Sequence, residues 1–295
     1  MNFILIHIAI PQKYTFPSHF KYCVQQIRAT NPNSIIYILT NLPINTNESH
    51  IKIININDLQ IPDIGDYYKY DPMGELFRNA LLRIFYLEAF MKKYNIIDVI
   101  HFDNDVLIYE NMDNISDCLK QFDFLMTSHF KTEYVFGFSY LKNVLPLTQL
   151  NNKLLKLVVL GEHRLQQIIT DCMPHEMRLL AYINEHSNPK IINNLPILPF
   201  GEGSDNFSIF KMCFDPSSYG KHLTGSHELT PTHLNYAPTK KYFGTEKHHL
   251  IGQALINNKI NVDFENKHPI LEVQNNKYKI CNLHIHTKEL EKYVI

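Results

Sequence analysis

The sequence predicts an α/β fold built on a mostly parallel sheet flanked by helices. Three observations carry that expectation. Phe3 to Ile10 is a continuous apolar run of strand length, the pattern of a strand buried on both faces. A helical stretch and a second such run follow it at the spacing of a βαβ unit. Apolar residues make up 45% of the 295 residues, with 17 Tyr and 18 Phe, enough to cover both faces of a large sheet.

The elements follow in order. Ser18 to Thr30 reads as a helix with Ser18 as its cap. Asn33 to Thr40 reads as a second buried strand and Ile51 to Ile56 as a third. Gly74 to Tyr94 is the strongest helical pattern in the chain. Ile96 to Phe102 is a further buried strand that runs straight into acids. Phe122 to Ser128 and Val135 to Tyr140 read as strands, and Lys142 to Asn184 as mainly helical. After Pro189 the pattern breaks into short pieces punctuated by Pro and Gly, and Lys279 to His286 reads as a last short strand. With no repeat, linker or low-complexity segment, one domain over 1–295 is expected.

Charge and cysteine content exclude several classes. Charged residues are 19% and the formal net charge is -1, so no global basic field exists to hold nucleic acid. The apolar start lacks a basic leader and a small-residue cleavage site, so a strand is expected there rather than a signal peptide. No apolar run approaches the ~18 residues of a membrane span. The cysteines (Cys23, Cys118, Cys172, Cys213, Cys281) are odd in number and form no CxxC pair, which fits reduced thiols and a cytoplasmic location.

The most informative stretch is Asp98-Val-Ile-His-Phe-Asp103-Asn104-Asp105-Val-Leu-Ile. An apolar strand ends in two carboxylates two residues apart. In extended chain such residues face the same way, so both are expected to reach one point. That point lies at the carboxyl end of a parallel strand, where open α/β sheets bind ligands. Two carboxylates side by side are costly unless a cation neutralises them. Hard oxygens suit Mg²⁺ or Mn²⁺, which commonly bridge to substrate phosphates. Asp-x-Asp is also common by chance, as in a solvated turn. On the preceding helix Leu76, Ala80, Arg83, Leu87 and Phe90 fall on one stripe. Two accounts fit Arg83: its stem packs while its head reaches water, or it pairs with Asp103 or a donor group.

Near the end, Tyr278-Lys-Ile-Cys-Asn282-Leu-His284-Ile-His286-Thr-Lys288 alternates polar and apolar residues. His284 and His286 then share a strand face. Neutral imidazole is a good Mn²⁺ ligand, and Lys288 is a point charge suited to phosphate. Structural, hydrogen-bonded histidines would show the same spacing.

Together, Arg83-Ile-Phe-Tyr-Leu-Glu, Val99-Ile-His-Phe-Asp-Asn-Asp-Val-Leu-Ile-Tyr109 and Asn282-Leu-His-Ile-His-Thr-Lys288 resemble a family of GT-A-fold glycosyltransferases found in bacteria and large DNA viruses. That family's C-terminal signature reads Asn-Leu-His-Ile-His-Ser-Lys, so Thr287 stands in for Ser. Phe214-Asp215-Pro-Ser-Ser-Tyr-Gly220-Lys-His-Leu-Thr-Gly225 is similar to a middle block, matching at Asp215, Gly220, Leu223 and Gly225 and departing at Lys221, His222 and Thr224. The resemblance implies a Rossmann-like GT-A fold with a nucleotide-sugar-binding N-terminal half and an acceptor-binding C-terminal half. It implies that Asp103 and Asp105 hold a divalent metal on the donor diphosphate, that His286, ahead of His284, completes the metal shell, and that Lys288 touches phosphate. It places His7, Ile8 and Ala9, with Thr40-Asn41, along the nucleoside pocket.

The implied reaction moves a sugar, in the manner of a hexosyltransferase, from a nucleotide diphosphate-sugar to a glycan or other hydroxyl acceptor. An inverting enzyme also needs a carboxylate base. Asp215, Asp205 and Glu202 are the candidates, each equally readable as a turn or cap residue; Asp215 alone falls in the family-like block, and it could instead bond the donor sugar. Two rivals share the acidic site. A sugar nucleotidyltransferase normally opens with a Gly-rich loop, which His7-Ile-Ala-Ile-Pro11 lacks. A non-catalytic carbohydrate- or nucleotide-binding homologue would not need Asp103, Asp105 and His286 intact.

Overall fold

The computed structural model describes residues 1–9, 16–67, 74–130, 132–169, 174–224, 250–257 and 259–295. Ile10, Cys172 and Gly225 lie outside the described residues. In chain order the strands are β1 (Asn2–His7), β2 (Ile35–Thr40), β3 (Ile51–Asn55), β4 (Val99–Phe102), β5 (Val106–Ile108), β6 (Phe124–Phe130), β7 (Glu133–Leu141), β8 (Asn193–Asn194), β9 (Ile260–Glu265), β10 (His268–Val273), β11 (Asn276–Lys279) and β12 (Asn282–His284). The helices are α1 (Phe20–Thr30), α2 (Gly74–Tyr94), α3 (Ser116–Leu119), α4 (Leu145–Val158), α5 (Glu162–Ile168), α6 (Glu176–Glu185), α7 (Phe207–Phe210), α8 (Tyr219–Thr224) and α9 (Leu250–Ile256).

Among the described residues, seven strands form the main sheet in the order β3-β2-β1-β4-β7-β6-β8. β3, β2, β1 and β4 are parallel, β7 runs against both neighbours, and β8 is parallel to β6. The α/β class with a mixed, mostly parallel sheet is therefore the fold. The chain steps outward from β1 to β3, then returns to place β4 on the other side of β1. That reversal is a topological switch point, and ligands of open α/β sheets bind at the carboxyl ends of the strands there.

Side-chain alternation explains why β1 reads as an unbroken apolar run. Phe3 and Leu5 join one core with α1 and the C-terminal strands, while Ile4 and Ile6 join a second core with α2, α4 and α6. β2 divides the same way, Ile36 and Ile38 against Tyr37 and Leu39. Each fully buried side chain of this size contributes roughly 1.5–3 kcal/mol, so a one-residue slip of either strand would cost several of them.

Some local expectations are corrected. The cap of α1 is His19, not Ser18, and no side chain caps it. The chain enters α1 through a turn in which Phe20 N donates to Pro17 O and Tyr22 N to His19 O, so turn carbonyls take the place of a hydroxyl. On α2, Ala80, Leu87 and Phe90 are buried, but Leu76, in the first turn of the helix, is 61% exposed. The last strand is shorter than the alternation implies: β12 stops at His284 and leaves His286 in the following turn. Outside the main sheet, β9, β10 and β11 form an antiparallel meander, and β12 pairs antiparallel with β5. No helix among the described residues is long and apolar enough to cross a membrane.

Candidate metal centre

The site is assembled by the pairing of β5 with β12. Asn282 faces Ile108, Leu283 faces Leu107 and His284 faces Val106. Ile285 N then donates to Asp105 O at 2.8 Å. This register carries the C-terminal histidines, some 180 residues later in sequence, to the acids that follow β4. Asp105, His284 and His286 offer ligand atoms that all lie within 4.8 Å of one another. His284 Nε2 is 3.0 Å from Asp105 Oδ1, and Lys288 Nζ sits against Asp105 Oδ2. The two imidazoles stack, with centroids 4.4 Å apart.

The two acids do not aim at one point. β4 ends at Phe102, and Val106 N donates to Asp103 O to close a turn over Asn104 and Asp105. Asp103 turns toward α2 and pairs with Arg83 Nη1, while Asp105 turns toward β12. Asp103 still borders the centre. Gly137 on β7 fits between them, since a Cβ there would lie 2.8 Å from Asp103 Oδ2 and 3.2 Å from His284 Cε1. Of the two accounts of Arg83, the structure places the guanidinium on Asp103.

Electrostatics follow from burial and sign. Burial would raise Asp105, but His284, Lys288 and His286 hold it well below the carboxylate range. Burial would lower His284, yet the Asp105 carboxylate keeps it above the ordinary histidine value. Burial, then His284 and Lys221, push His286 well below it. Lys288 Nζ and His284 Nε2 thus both lie against a buried carboxylate, a place where a cation fits. His101 beneath the acids is kept neutral by burial, at about 4, with Ile4 O 3.1 Å from its Nδ1.

A second layer holds the histidines. Asp215, 1% exposed, accepts from Ser218 N and Tyr219 N through Oδ1 and from Gly220 N and His284 N through Oδ2, at 2.7 to 2.9 Å. It ties α8 to β12. Ser217 Oγ is 2.7 Å from His286 Nε2 and fixes that ring. Ser217 and Lys288 both occupy the left-handed region, at φ 69° and 65°, conformations that non-glycine residues hold only where surroundings enforce them. α8 approaches so closely that a Cβ on Gly220 would lie 2.0 Å from His284 O.

At the end of β1, His7 packs on Phe16 with centroids 4.8 Å apart and planes tilted by 53°, and its Nδ1 is 3.4 Å from Asn104 Nδ2. His19 Nε2 lies 3.5 Å from Asn104 Oδ1, and Cys23 Sγ donates to Asn104 O at 3.1 Å. Ile8 is half-buried beside them. Asn41 uses its amide on both backbone groups of Ala9, at 2.8 and 2.9 Å, so it clamps the strand exit. Asp205 and Glu202 are exposed on the loop before α7, with Asp205 accepting from Asn194 Nδ2 at 2.6 Å, and neither belongs to the group formed by Asp105, His284 and His286. Gly137 and Ser217 were not among the candidates, and Gly220 was noted only as a match within its block; a glycine has no side chain to announce a close approach, and a lone serine no spacing to announce a contact with His286.

No family model matches the chain, and no curated protein does. Among solved structures it is similar to the glycosyltransferase GlyE of Streptococcus pneumoniae TIGR4, at TM-score 0.40 and 12% identity over 66% of this chain and 44% of that one. The chain thus spans less than half of GlyE. It is similar to an active-site mutant of LgtC, at TM-score 0.41 and 11% identity over 83% and 85%. A cytidylyltransferase from Leptospira borgpetersenii is similar at TM-score 0.36 and 13% identity over 69% and 77%. Likeness of this degree carries no activity across, because function resides in sites rather than in folds.

Proposed function

We propose that this chain is a metal-dependent glycosyltransferase that moves a sugar from a nucleotide diphosphate-sugar to a hydroxyl of a glycan or other acceptor. The observation that carries the reading is the convergence of Asp105, His284 and His286 beside the switch point of the sheet. The motif resemblance of both segments supports it independently.

Asp105, His284 and His286 would hold Mn²⁺ or Mg²⁺, the mixed nitrogen and oxygen set favouring Mn²⁺. When bound, the ion supplies Lewis acidity to the leaving diphosphate. Lys288 and Arg83 flank the acids as a point charge and a planar fork, both suited to phosphate oxygens. Two imidazoles and one carboxylate also suit Fe²⁺, but flanking cations favour an anionic ligand over dioxygen. His7, Phe16, Ile8 and Ala9 would line the nucleoside, with Asn41 holding the strand exit in shape. Asp103, held by Arg83, would face the donor.

The test is incubation with a panel of nucleotide sugars, with and without Mn²⁺. Metal-dependent release of nucleoside diphosphate is expected. Release of pyrophosphate from a nucleoside triphosphate and a sugar phosphate would instead identify a nucleotidyltransferase. Binding without any release would identify a non-catalytic homologue.

A further inference from the structure

A second group of titratable side chains lies toward the same end of the sheet, at the start of β7, and is unused by the reading above. It forms where the β6–β7 hairpin, the start of α6 and the first half of α2 meet. Glu133 opens β7, with Oε2 3.6 Å from His129 Nδ1 and Oε1 3.3 Å from His175 Nε2. The other nitrogen of His175 faces Glu176 Oε2 at 3.9 Å. Phe77 of α2 stacks on His175, with centroids 5.9 Å apart and planes 20° apart. Arg178 Nη1 donates to Thr132 O at 3.2 Å and fixes the hairpin to α6.

Two elements run from this group to the metal centre. On α2, Phe77 and Arg83 are six residues apart, roughly 9 Å of helix. On β7, Glu133 and Gly137 are four residues apart, roughly 13 Å of strand. Glu176 is also within electrostatic reach of both Arg83 and Asp103. α2 and β7 thus carry both groups, and a base must come within about 3 Å of the hydroxyl it deprotonates.

We propose that Glu176 is the general base that accepts the proton of the acceptor hydroxyl, and that His175 and Glu133 position it; this rests on the glycosyltransferase reading. The acceptor O–H proton passes to a Glu176 carboxylate oxygen. The acceptor oxygen bonds to the anomeric carbon of the donor, the bond from that carbon to the diphosphate oxygen breaks, and its electron pair leaves with the nucleoside diphosphate. Attack opposite the leaving group inverts the anomeric configuration.

The choice between the two glutamates follows from their surroundings. Both Glu133 oxygens face imidazoles; burial would raise its carboxyl, but His129 and His175 hold it down at about 2, a weak base. Glu176 has one imidazole at longer range, and burial raises its carboxyl above the ordinary glutamate value, with His175 and Arg83 opposing and Asp103 adding. A base near the working pH is the more effective. The groups facing Glu176 are His175 at the cap of its own helix, Arg83 on α2 and Asp103 after β4; Glu133 and Arg178 act on His175, and His129 on Glu133.

The experiment compares wild type with Glu176→Gln and His175→Gln. Water serves as acceptor, and the rate of nucleoside diphosphate release is followed against pH with the nucleotide sugar the panel selects. Uridine and guanosine diphosphates are titrated calorimetrically with Mn²⁺ in parallel. Glu176→Gln is expected to slow release about 10²–10⁴-fold, to lose the acidic limb of the profile and to bind the diphosphate within twofold of wild type. His175→Gln removes a cation that lowers Glu176, so the acidic limb is expected to move to higher pH. Release by Glu176→Gln within threefold of wild type, an unmoved limb in His175→Gln, or diphosphate binding lost in step with rate overturns the proposal. Where Glu176→Gln fails to fold, Glu176→Asp decides: it keeps the carboxyl and must slow release while retaining the limb. Wild type that neither binds nor releases nucleoside diphosphate overturns the glycosyltransferase reading itself, a distinct result.

Discussion

Arg83 shows how far a single residue can be read. A cation on an apolar helical stripe fits either a snorkelling stem or a buried partner, and the stripe is the same in both. Only the turn after Phe102, which swings Asp103 toward α2, decides between them. An ammonium cannot reproduce a planar fork, so Arg83→Lys is expected to slow nucleoside diphosphate release at least tenfold, measured with saturating Mn²⁺ and donor. Kinetics equal to wild type would return Arg83 to the role of a packed stem. Asp215 was equally ambiguous in sequence. An acid before Pro-Ser-Ser-Tyr-Gly can cap a helix or serve a reaction; three of its four backbone N–H donors are the local ones at the start of α8, and only the fourth, His284 N, requires β12 to lie beside α8.

At the scale of elements, the strands of the parallel half were legible because each is buried on both faces. Ile4 and Ile6 face one core and Phe3 and Leu5 the other, and the apolar run records both. The β9–β11 meander is less legible because its outer face is polar: Asn261 and Asp263 alternate with buried Ile260 and Val262, which weakens the apolar signal. β5 is three residues long and merges with the acids, so nothing local marks it as the strand that receives β12. That pairing depends on Gly220, whose hydrogen faces the His284 carbonyl. A methyl there meets backbone, which cannot yield as a side-chain tip can. Gly220→Ala is expected to cost about 1–3 kcal/mol of stability and to weaken Mn²⁺-dependent diphosphate binding at least tenfold by displacing β12. Thermal unfolding and calorimetry read the two effects, and unchanged binding would mean that β12 does not position the histidines.

At the scale of the whole molecule, the strand order reverses between β1 and β4, the place where open α/β sheets bind ligands, and the pairing of β12 with β5 brings the imidazoles of His284 and His286 to it. The composition of each half was readable in the sequence; their meeting was not, because a register across some 180 residues leaves no periodic trace. The Asp-x-Asp spacing pointed to Asp105, which the structure brings to His284 and His286, but not to the geometry, since the chain turns after Phe102. The most direct test of the metal centre is calorimetric titration of uridine and guanosine diphosphates, with and without Mn²⁺, into wild type, Asp105→Asn, His284→Ala and His286→Ala. Wild type is expected to bind one of them only with Mn²⁺, and each variant to lose that metal-dependent binding by tenfold or more while remaining folded. Metal-dependent binding at wild-type strength in all three variants would contradict the account.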